Sequence, residues 1–243
     1  MFSVTELEIL WGSPAVMVRH GLNYLVIADM HVGFERKFAK EGVFVPDISD
    51  RMASQVIHLI DKHSADALVI LGDLKESIGA FPFIGGYLAK FVRRVAERDV
   101  DLILLKGNHD GSIETLLPKQ VKVMRELALG DLIMLHGHAH PRGNLPEGAS
   151  ILTAHVHPRF RNPDFSRSES VFVMGRARTG GKFVLMPAFN PILGGVLLNN
   201  YAPDDERLGV IFSERYVDVN SSIVLSIDGS CFGALRELSD REP

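Results

Sequence analysis

Residues that can bind a metal ion stand directly after five short apolar segments of the chain. They are Asp29-Met30-His31, Gly72-Asp73, Gly107-Asn108-His109-Asp110, His136-Gly137-His138-Ala139-His140 and His155-Val156-His157. Carboxylate, amide and imidazole groups without a thiolate suit hard or borderline divalent ions such as Mn, Fe, Zn, Co and Ni. The residue types therefore indicate metal-dependent chemistry.

The spacing and the number of these residues favour a pair of ions. In Asp29-x-His31 and in His155-x-His157 the two side chains are two positions apart. On an extended backbone this spacing puts both on one face, where they can bind the same ion. The segments offer more than six candidate ligands, whereas a single tetrahedral zinc ion needs about four. Two ions about 3.5–4 Å apart, bridged by one carboxylate, use such a set, and they bind and activate a phosphoryl group.

The elements that position these residues are predicted by the pattern of apolar residues. Runs at 25–28, 67–71 and 102–105 are apolar throughout, as expected for strands that are covered on both faces. Apolar stripes at 48–60 and 84–95 predict helices between these strands. Because ligands bind at the carboxyl ends of the strands in an open α/β sheet, we expect the candidate residues to meet at one edge.

From about residue 120 the pattern changes to strands without a long helix among them. A hairpin is predicted over 127–135, with Gly130-Asp131 at its turn. Further strands are predicted at 151–154, 170–174, 182–186 and 209–212. We therefore expect an α/β (α+β) fold in a single domain over residues 1–243. Its two packed, mixed β-sheets are flanked by helices in a four-layer αββα sandwich.

The composition excludes several classes of protein. The chain has 26 Lys and Arg against 30 Asp and Glu, a net charge of −4, with 14 Phe among 243 residues. Such a chain is not disordered, and it lacks the basic field of proteins that bind duplex DNA tightly. It contains no apolar stretch of the roughly 18 residues that a membrane span requires and no signal-peptide pattern. Together with the single cysteine, Cys231, this predicts a cytoplasmic protein with no membrane association; the sequence predicts no oligomeric state.

The five segments, in this order, resemble those of the calcineurin-like metallophosphoesterase superfamily. Within it the chain is similar to the small SbcD-related phosphoesterases of archaea and bacteria. The residues that carry this narrower likeness are Asp29-Met30-His31-Val32-Gly33-Phe34-Glu35, Gly72-Asp73-Leu74-Lys75, His136-Gly137-His138 and Pro187-Ala188-Phe189-Asn190-Pro191. The resemblance implies two divalent metal ions, with Mn expected first and Fe, Zn, Ni or Co as alternatives.

The resemblance also implies a role for each candidate residue. The ligands of the first metal would be Asp29, His31, Asp73 and His157. Those of the second would be Asp73, Asn108, His136 and His155, so that Asp73 bridges the two ions. His109 would protonate the leaving oxygen as a general acid, or orient the substrate.

One departure from the family pattern concerns the partner of this histidine. In many relatives a second acidic residue follows the bridging aspartate by three positions and supports the histidine. Glu76 stands at that position here. Its longer side chain could still reach, so the sequence leaves open whether Glu76 supports His109.

A second departure concerns the last ligand segment, which is usually Gly-His-x-His. Gly137-His138-Ala139-His140 matches that string, whereas Thr153-Ala154 precedes His155. We prefer His155 and His157 because they follow an apolar strand of their own and leave His136 as a separate ligand. In the rival assignment the two histidines of the matching string would supply these ligands; in ours they contact the ligands or the substrate.

Basic residues cluster after the last ligand segment and leave two interpretations open. Either they are a solvated loop, or they form a rim that binds phosphate groups of the substrate. They are Arg159, Arg161, Arg167, Arg176 and Arg178, faced only by Asp164 and Glu169.

The predicted function is hydrolysis of a phosphodiester, with nucleotides and nucleic acids among the candidate substrates. The reaction would be in-line attack of a metal-bridging hydroxide. A phosphomonoesterase of the same fold and a non-catalytic metal-binding partner in a DNA-repair complex are the alternatives. His136-x-His138-x-His140 is also similar to metallo-β-lactamase-like and amidohydrolase clusters. Pro141, however, stands where the former need Asp-His, and the second half of the chain lacks the helices of the latter's barrel.

Overall fold

The computed structural model describes residues 5–43, 48–76, 84–161, 167–200 and 208–239. Two mixed β-sheets pack against each other, and two helices, α2 (Ile48–His63) and α3 (Ile84–Ala96), cover the outer face of the first sheet. The predicted fold class is confirmed.

The first sheet has six strands in the order of the chain. They are β1 (Glu6–Ile9), β2 (Val16–His20), β3 (Leu22–Ile27), β4 (Ala67–Ile70), β5 (Asp101–Leu105) and β6 (Lys122–Met124). Strands β1 to β3 are antiparallel, and β3 to β6 are parallel. The helices are α1 (Glu35–Lys40), α2 (Ile48–His63) and α3 (Ile84–Ala96). The strands predicted at 25–28, 67–71 and 102–105 and both predicted helices are therefore confirmed.

The second sheet has eight strands in the order β14-β13-β11-β12-β9-β8-β7, with β10 paired to β11. They are β7 (Glu126–Leu129), β8 (Leu132–Leu135), β9 (Ser150–Thr153), β10 (Arg159–Arg161), β11 (Ser168–Arg176), β12 (Lys182–Leu185), β13 (Ile223–Ser226) and β14 (Cys231–Ala234). Strand β9 is parallel to both neighbours, β8 and β12, and the other pairs are antiparallel.

Most predictions for the second half are also confirmed. The hairpin over 127–135 is β7 and β8, with Leu129 opposite Leu132. The strands predicted at 151–154, 170–174 and 182–186 correspond to β9, β11 and β12.

The strand predicted at 209–212 is wrong, because these residues form turns. Gly209 has a φ of 63°, which extended backbone does not adopt. Ile211 and Phe212 are apolar because they are buried in the core outside the second sheet. Burial alone therefore explains why residues 209–212 are apolar.

The core consists of three layers. Leu25 and Ile27 of β3 face the helices, whereas Val26, between them, faces the second sheet. This explains why β3 is apolar on both faces. The outer face of the second sheet is covered by the short helix α4 (Leu235–Ser239) and by irregular segments. Within the described ranges, the helices are all too short or too polar to span a membrane.

Candidate metal centre

The segment that follows β3 lies beside the segment that follows β4. Asp29 N donates a hydrogen bond to Gly72 O over 3.2 Å, and His31 N donates to Asp73 O over 2.8 Å. The parallel pairing of the two strands therefore continues past their carboxyl ends. It brings together three buried side chains, those of Asp29, His31 and Asp73.

The second sheet supplies histidines to the same place. His155 N donates to Asp29 Oδ2 over 3.2 Å. His136 Nδ1 donates to the carbonyl oxygen of Leu71 over 2.6 Å, which directs the other ring nitrogen toward Asp73. The candidate ligands thus lie where the carboxyl ends of strands from both sheets meet.

Many of these residues have a left-handed backbone. Within the described ranges, eight non-glycine residues have a positive φ, and five of these are candidate ligands. The five are Asp29 (53°), His31 (42°), Asp73 (50°), His155 (76°) and His157 (47°). Each such conformation costs about 1–3 kcal/mol and persists only where the surroundings impose it, which is typical of functional sites.

Gly107 allows the segment after β5 to approach Asp73 closely. A Cβ atom at position 107 would lie 2.1 Å from Asp73 Oδ1 and 2.5 Å from Asp73 N. With glycine there, His109 N donates to Asp73 Oδ1 over 2.8 Å. The Gly-Asn-His sequence therefore holds one oxygen of this carboxylate by a backbone hydrogen bond.

The donor atoms form two adjoining groups. The first cluster consists of Asp29, His31 and His157, whose donor atoms lie within 4.8 Å of one another. In it, Asp29 Oδ1 is 3.3 Å from His157 Nε2. His157 Nδ1 donates to the carbonyl oxygen of Gly194 over 3.2 Å, so its Nε2 faces the cluster.

The second cluster consists of Asp73, Asn108, His136 and His155. Three donor atoms surround His136 Nε2: Asn108 Oδ1 at 3.2 Å, His155 Nδ1 at 3.2 Å and Asp73 Oδ2 at 3.3 Å. The structure thus brings together all seven residues that the sequence suggests as metal ligands.

Asp73, a member of the second cluster, also faces the first cluster. Its Oδ2 atom is 3.4 Å from His31 Nε2 and 3.3 Å from His136 Nε2. A single carboxylate oxygen therefore faces donor atoms of both clusters.

Without a bound ion, protons provide the positive charge at these clusters. Burial lowers the pKa of His136, but its hydrogen bond with Asp73 and the charge of Asp29 outweigh burial and raise that pKa to about 9. Burial and the charge of His136 lower the pKa of His155 to about 4. Burial raises the pKa of Asp29, but the charges of His157 and His136 hold it below its usual value. The carboxylates are therefore ionised and ready to bind a cation.

The residues present fit divalent metal ions. Three buried atoms of the first cluster, Asp29 Oδ1, His31 Nε2 and His157 Nε2, form no hydrogen bond with any described residue. A buried polar atom without a partner costs about 1–3 kcal/mol, so three such atoms in one place indicate a bound group. Carboxylate and imidazole donors are suitable ligands for divalent cations. The two clusters therefore support divalent metal binding.

His109 lies beside Asp73 and against the ring of His31, 4.8 Å away, and the structure identifies the partner that the sequence left open. Its Nδ1 donates to the backbone carbonyl oxygen of Glu76 over 2.6 Å. The carboxylate of Glu76 instead accepts a hydrogen bond from His31 Nδ1 over 2.6 Å and pairs with Lys37. Burial raises the pKa of Glu76, but these hydrogen bonds from His31 and Lys37 outweigh it and lower that pKa.

Asp110 and Lys75 are buried supporting residues for which the sequence predicts no role. The Asp110 carboxylate accepts from Gly107 N over 2.9 Å and from Leu74 N over 3.1 Å, and so joins the segments after β5 and β4. Lys75 Nζ donates to the carbonyl oxygen of His109 over 2.5 Å. In the sequence, the one indication of these supporting roles is that each is a charged residue within or close to a ligand segment.

His138 and His140 lie outside the two clusters. The ring of His138 is 5.3 Å from that of His136, so it packs against a candidate ligand. His140 Nδ1 is 2.8 Å from the hydroxyl oxygen of Tyr216. The geometry thus favours His155 and His157 over the rival assignment.

One of the basic residues that follow the last ligand segment, Arg159, makes contacts within the protein. The Arg159 guanidinium donates to Ser168 Oγ, Ser170 Oγ and the carbonyl oxygen of Leu193 over 3.0–3.2 Å. These bonds favour a structural role for Arg159 over binding of substrate phosphate. Asp164 lies outside the described residues, and the side chains of Arg161, Arg167, Arg176 and Arg178 are exposed.

Comparison with known proteins identifies a family and proteins of related fold. The calcineurin-like phosphoesterase family matches residues 22–199. The fold is similar to that of the nuclease MPE from Pseudomonas putida, with a TM-score of 0.59 and 19% identity over 93% of this chain and 98% of that chain. The phosphoesterase YfcE from E. coli matches with a TM-score of 0.44 and 18% identity over 87% of this chain and 98% of that chain. No curated protein matches the chain.

Proposed function

Because the chain belongs to the calcineurin-like phosphoesterase family, we propose that it is a phosphodiesterase that uses two divalent metal ions. Residues 1–243 would form its single catalytic domain. Mn would be the first ion to test, with Fe, Zn, Ni and Co as alternatives.

The observation that carries this proposal is the position of Asp73 Oδ2, within 3.4 Å of a donor nitrogen in each cluster. One oxygen in that position can serve as a ligand to two neighbouring ions. The first ion would be bound by the first cluster together with Asp73. The second would be bound by the second cluster, which already includes Asp73.

The chain's own residues would bind the phosphoryl group and move a proton. When bound, a pair of divalent ions neutralises charge on phosphoryl oxygens and lowers the pKa of water. His109 Nδ1 donates to the carbonyl oxygen of Glu76, so when the ring carries a proton on both nitrogens, Nε2–H would be the group that gives a proton to the leaving oxygen and is then left neutral. Asp73 receives the backbone N–H of His109, which keeps this imidazole beside the clusters.

The segment after β12 is fixed beside the first cluster, since Asn190 donates through Nδ2 to the carbonyl oxygen of Met30 over 2.9 Å. A cleft of about 560 Å³ is lined in part by Ala188, Phe189 and Pro191 and by none of the seven candidate ligands. The assay below therefore decides between a diester and a monoester.

Nucleotides and nucleic acids are the natural diesters to test first. One solved structure of similar fold is that of a nuclease. The net charge of −4 disfavours a general DNA-binding surface, but two divalent ions would make the site itself attractive to a phosphate.

The decisive assay compares a diester with a monoester. Chelator-treated protein is tested on bis(4-nitrophenyl) phosphate and 4-nitrophenyl phosphate after addition of Mn, Ni, Co, Zn or Mg. We expect hydrolysis only with added metal, and faster turnover of the diester. Faster turnover of the monoester would identify a phosphomonoesterase instead. Metal binding without hydrolysis of any phosphoester would favour the non-catalytic partner in a DNA-repair complex.

A further inference from the structure

Glu76 contacts two histidines of the candidate site by two different groups. Its carboxylate accepts a hydrogen bond from His31, and its backbone carbonyl accepts one from His109. We propose that Glu76 is a positioning residue that orients His31 toward the first metal ion and His109 toward the leaving group. This inference rests on the proposed function.

The contact with His31 fixes which ring nitrogen faces the metal. His31 Nδ1 donates to Glu76 Oε2 over 2.6 Å, and the two side chains are only 5% and 11% exposed. With its proton on Nδ1, the ring presents the lone pair of Nε2, the buried atom without a hydrogen bond, toward the clusters. A histidine that donates to a carboxylate is held in one orientation and is a more basic ligand.

Lys37 holds the other oxygen of the same carboxylate. Its Nζ atom pairs with Glu76 Oε1, while the Lys37 side chain is 60% exposed. Because exposed ion pairs contribute little, we expect Lys37 to restrict the Glu76 carboxylate without being essential to it. Lys37 therefore offers a variant that changes the surroundings of Glu76 but leaves its contact with His31 intact.

The contact with His109 fixes the second histidine. His109 Nδ1 donates to the Glu76 carbonyl oxygen over 2.6 Å, and the His109 carbonyl oxygen accepts from Lys75 Nζ over 2.5 Å. The Glu76 backbone is itself anchored, since Glu76 N donates to the carbonyl oxygen of Val32 over 3.2 Å. Val32 follows His31 directly, so the backbone that holds His109 is bonded to the segment that carries His31.

This geometry predicts that substitution of Glu76 affects His31 more directly than His109. Truncation in Glu76→Ala removes the acceptor of His31 but keeps the carbonyl group that holds His109. The direct effect is therefore on the metal ion, and the effect on His109 comes from the loosened Lys75-Glu76 segment. Glu76→Gln keeps an oxygen that can accept from His31 and should behave as a partial rescue.

The first test measures metal binding without substrate. Mn²⁺ binding to the full chain is measured by isothermal titration calorimetry, with thermal melting of each variant as the control for folding. We expect Glu76→Ala to raise the Kd of the first ion about 10–100-fold, Glu76→Gln to raise it less, and Lys37→Met to change it less than about threefold. Glu41→Ala, a change at an exposed glutamate, should match the wild type. A folded Glu76→Ala variant with wild-type Kd would overturn the role at His31.

The second test distinguishes an effect on His109 from an effect on metal binding, and it is made at saturating Mn²⁺. Turnover of an aryl diester, whose leaving group needs no proton, is compared with that of an alkyl diester, whose leaving group needs one. We expect Glu76→Ala to slow the alkyl substrate several-fold more than the aryl one. An equal loss on both would overturn the proposal that the Glu76 side chain helps to position His109. If the wild type binds Mn²⁺ but hydrolyses neither substrate, the proposed function and the role at His109 fail, and the Kd comparison alone decides the role at His31.

Discussion

The two clusters of the candidate metal centre differ in how their donor atoms are occupied. In the first cluster Asp29 Oδ1, His31 Nε2 and His157 Nε2 have no hydrogen-bond partner among the described residues. In the second cluster His136 Nε2 is within 3.2 Å of Asn108 Oδ1 and of His155 Nδ1. Asp29 Oδ1 and His157 Nε2 are nevertheless paired by charge over 3.3 Å. An ion in the first cluster would thus bind buried atoms that lack a hydrogen bond, whereas one in the second would replace existing hydrogen bonds.

This difference predicts an order of affinity. Unsatisfied buried atoms destabilise the metal-free protein, so an ion at the first cluster removes that penalty. An ion must displace a proton at either cluster, because, against the effect of burial, Asp29 raises the pKa of His157, and Asp73 and Asp29 raise that of His136 to about 9. Since this requirement is common to both clusters, the unsatisfied atoms decide the order, and we expect the first cluster to bind its ion more tightly near neutral pH.

The largest expected effect comes from the residue that the clusters share. Asp73→Asn removes a negative charge from between both ions, and we expect turnover of bis(4-nitrophenyl) phosphate to fall by about 10³-fold or more. The matched control is Asp99→Asn, because Asp99 is exposed and has a φ of 55°, close to the 50° of Asp73. Full activity of a folded Asp73→Asn variant would contradict a shared ligand.

Single-histidine variants should separate the clusters. His157→Ala removes a donor from the first cluster and should weaken the tighter Mn²⁺ site by about 100-fold or more, since loss of even an indirect partner costs about 10–100-fold. His155→Ala should act chiefly on the weaker site. Calorimetric titration of both variants with Mn²⁺ separates a tighter and a weaker binding phase, one for each site. If His155→Ala abolishes the tighter phase and His157→Ala the weaker one, the order of affinity is reversed.

The sequence predicted the elements that carry the site better than those at the sheet edges. Strands β3, β4 and β5 are apolar on both faces, because one face packs on helices and the other on the second sheet. By contrast β1 and β14 are short, partly exposed and paired with only one neighbour, so their sequences carry little pattern. The run at 209–212 was misleading because burial without strand pairing leaves the same apolar signature.

The candidate ligands could be predicted because each follows a strand end, but their supporting contacts could not. The bond from His31 to Glu76 joins residues 45 positions apart, and that from Asn190 to Met30 joins residues 160 apart. Both depend on how neighbouring segments pair after the strands end. Sequence spacing contains no information about that pairing, so the type of residue at position 76 was visible while its partner was not.

The smallest expected effect is a release of protons on metal binding. The pKa of His136 is raised to about 9 in the metal-free protein, so its imidazole is protonated at pH 7 and must lose a proton before Nε2 can bind a cation. His155, whose pKa is lowered to about 4, is already neutral and releases none. Mn²⁺ binding at the second cluster should therefore release about one proton at pH 7, and its apparent affinity should rise about tenfold per pH unit up to about pH 9. Calorimetry in two buffers of different ionisation enthalpy counts the protons. A second phase that releases no proton at pH 7 would contradict binding of that ion through a protonated His136.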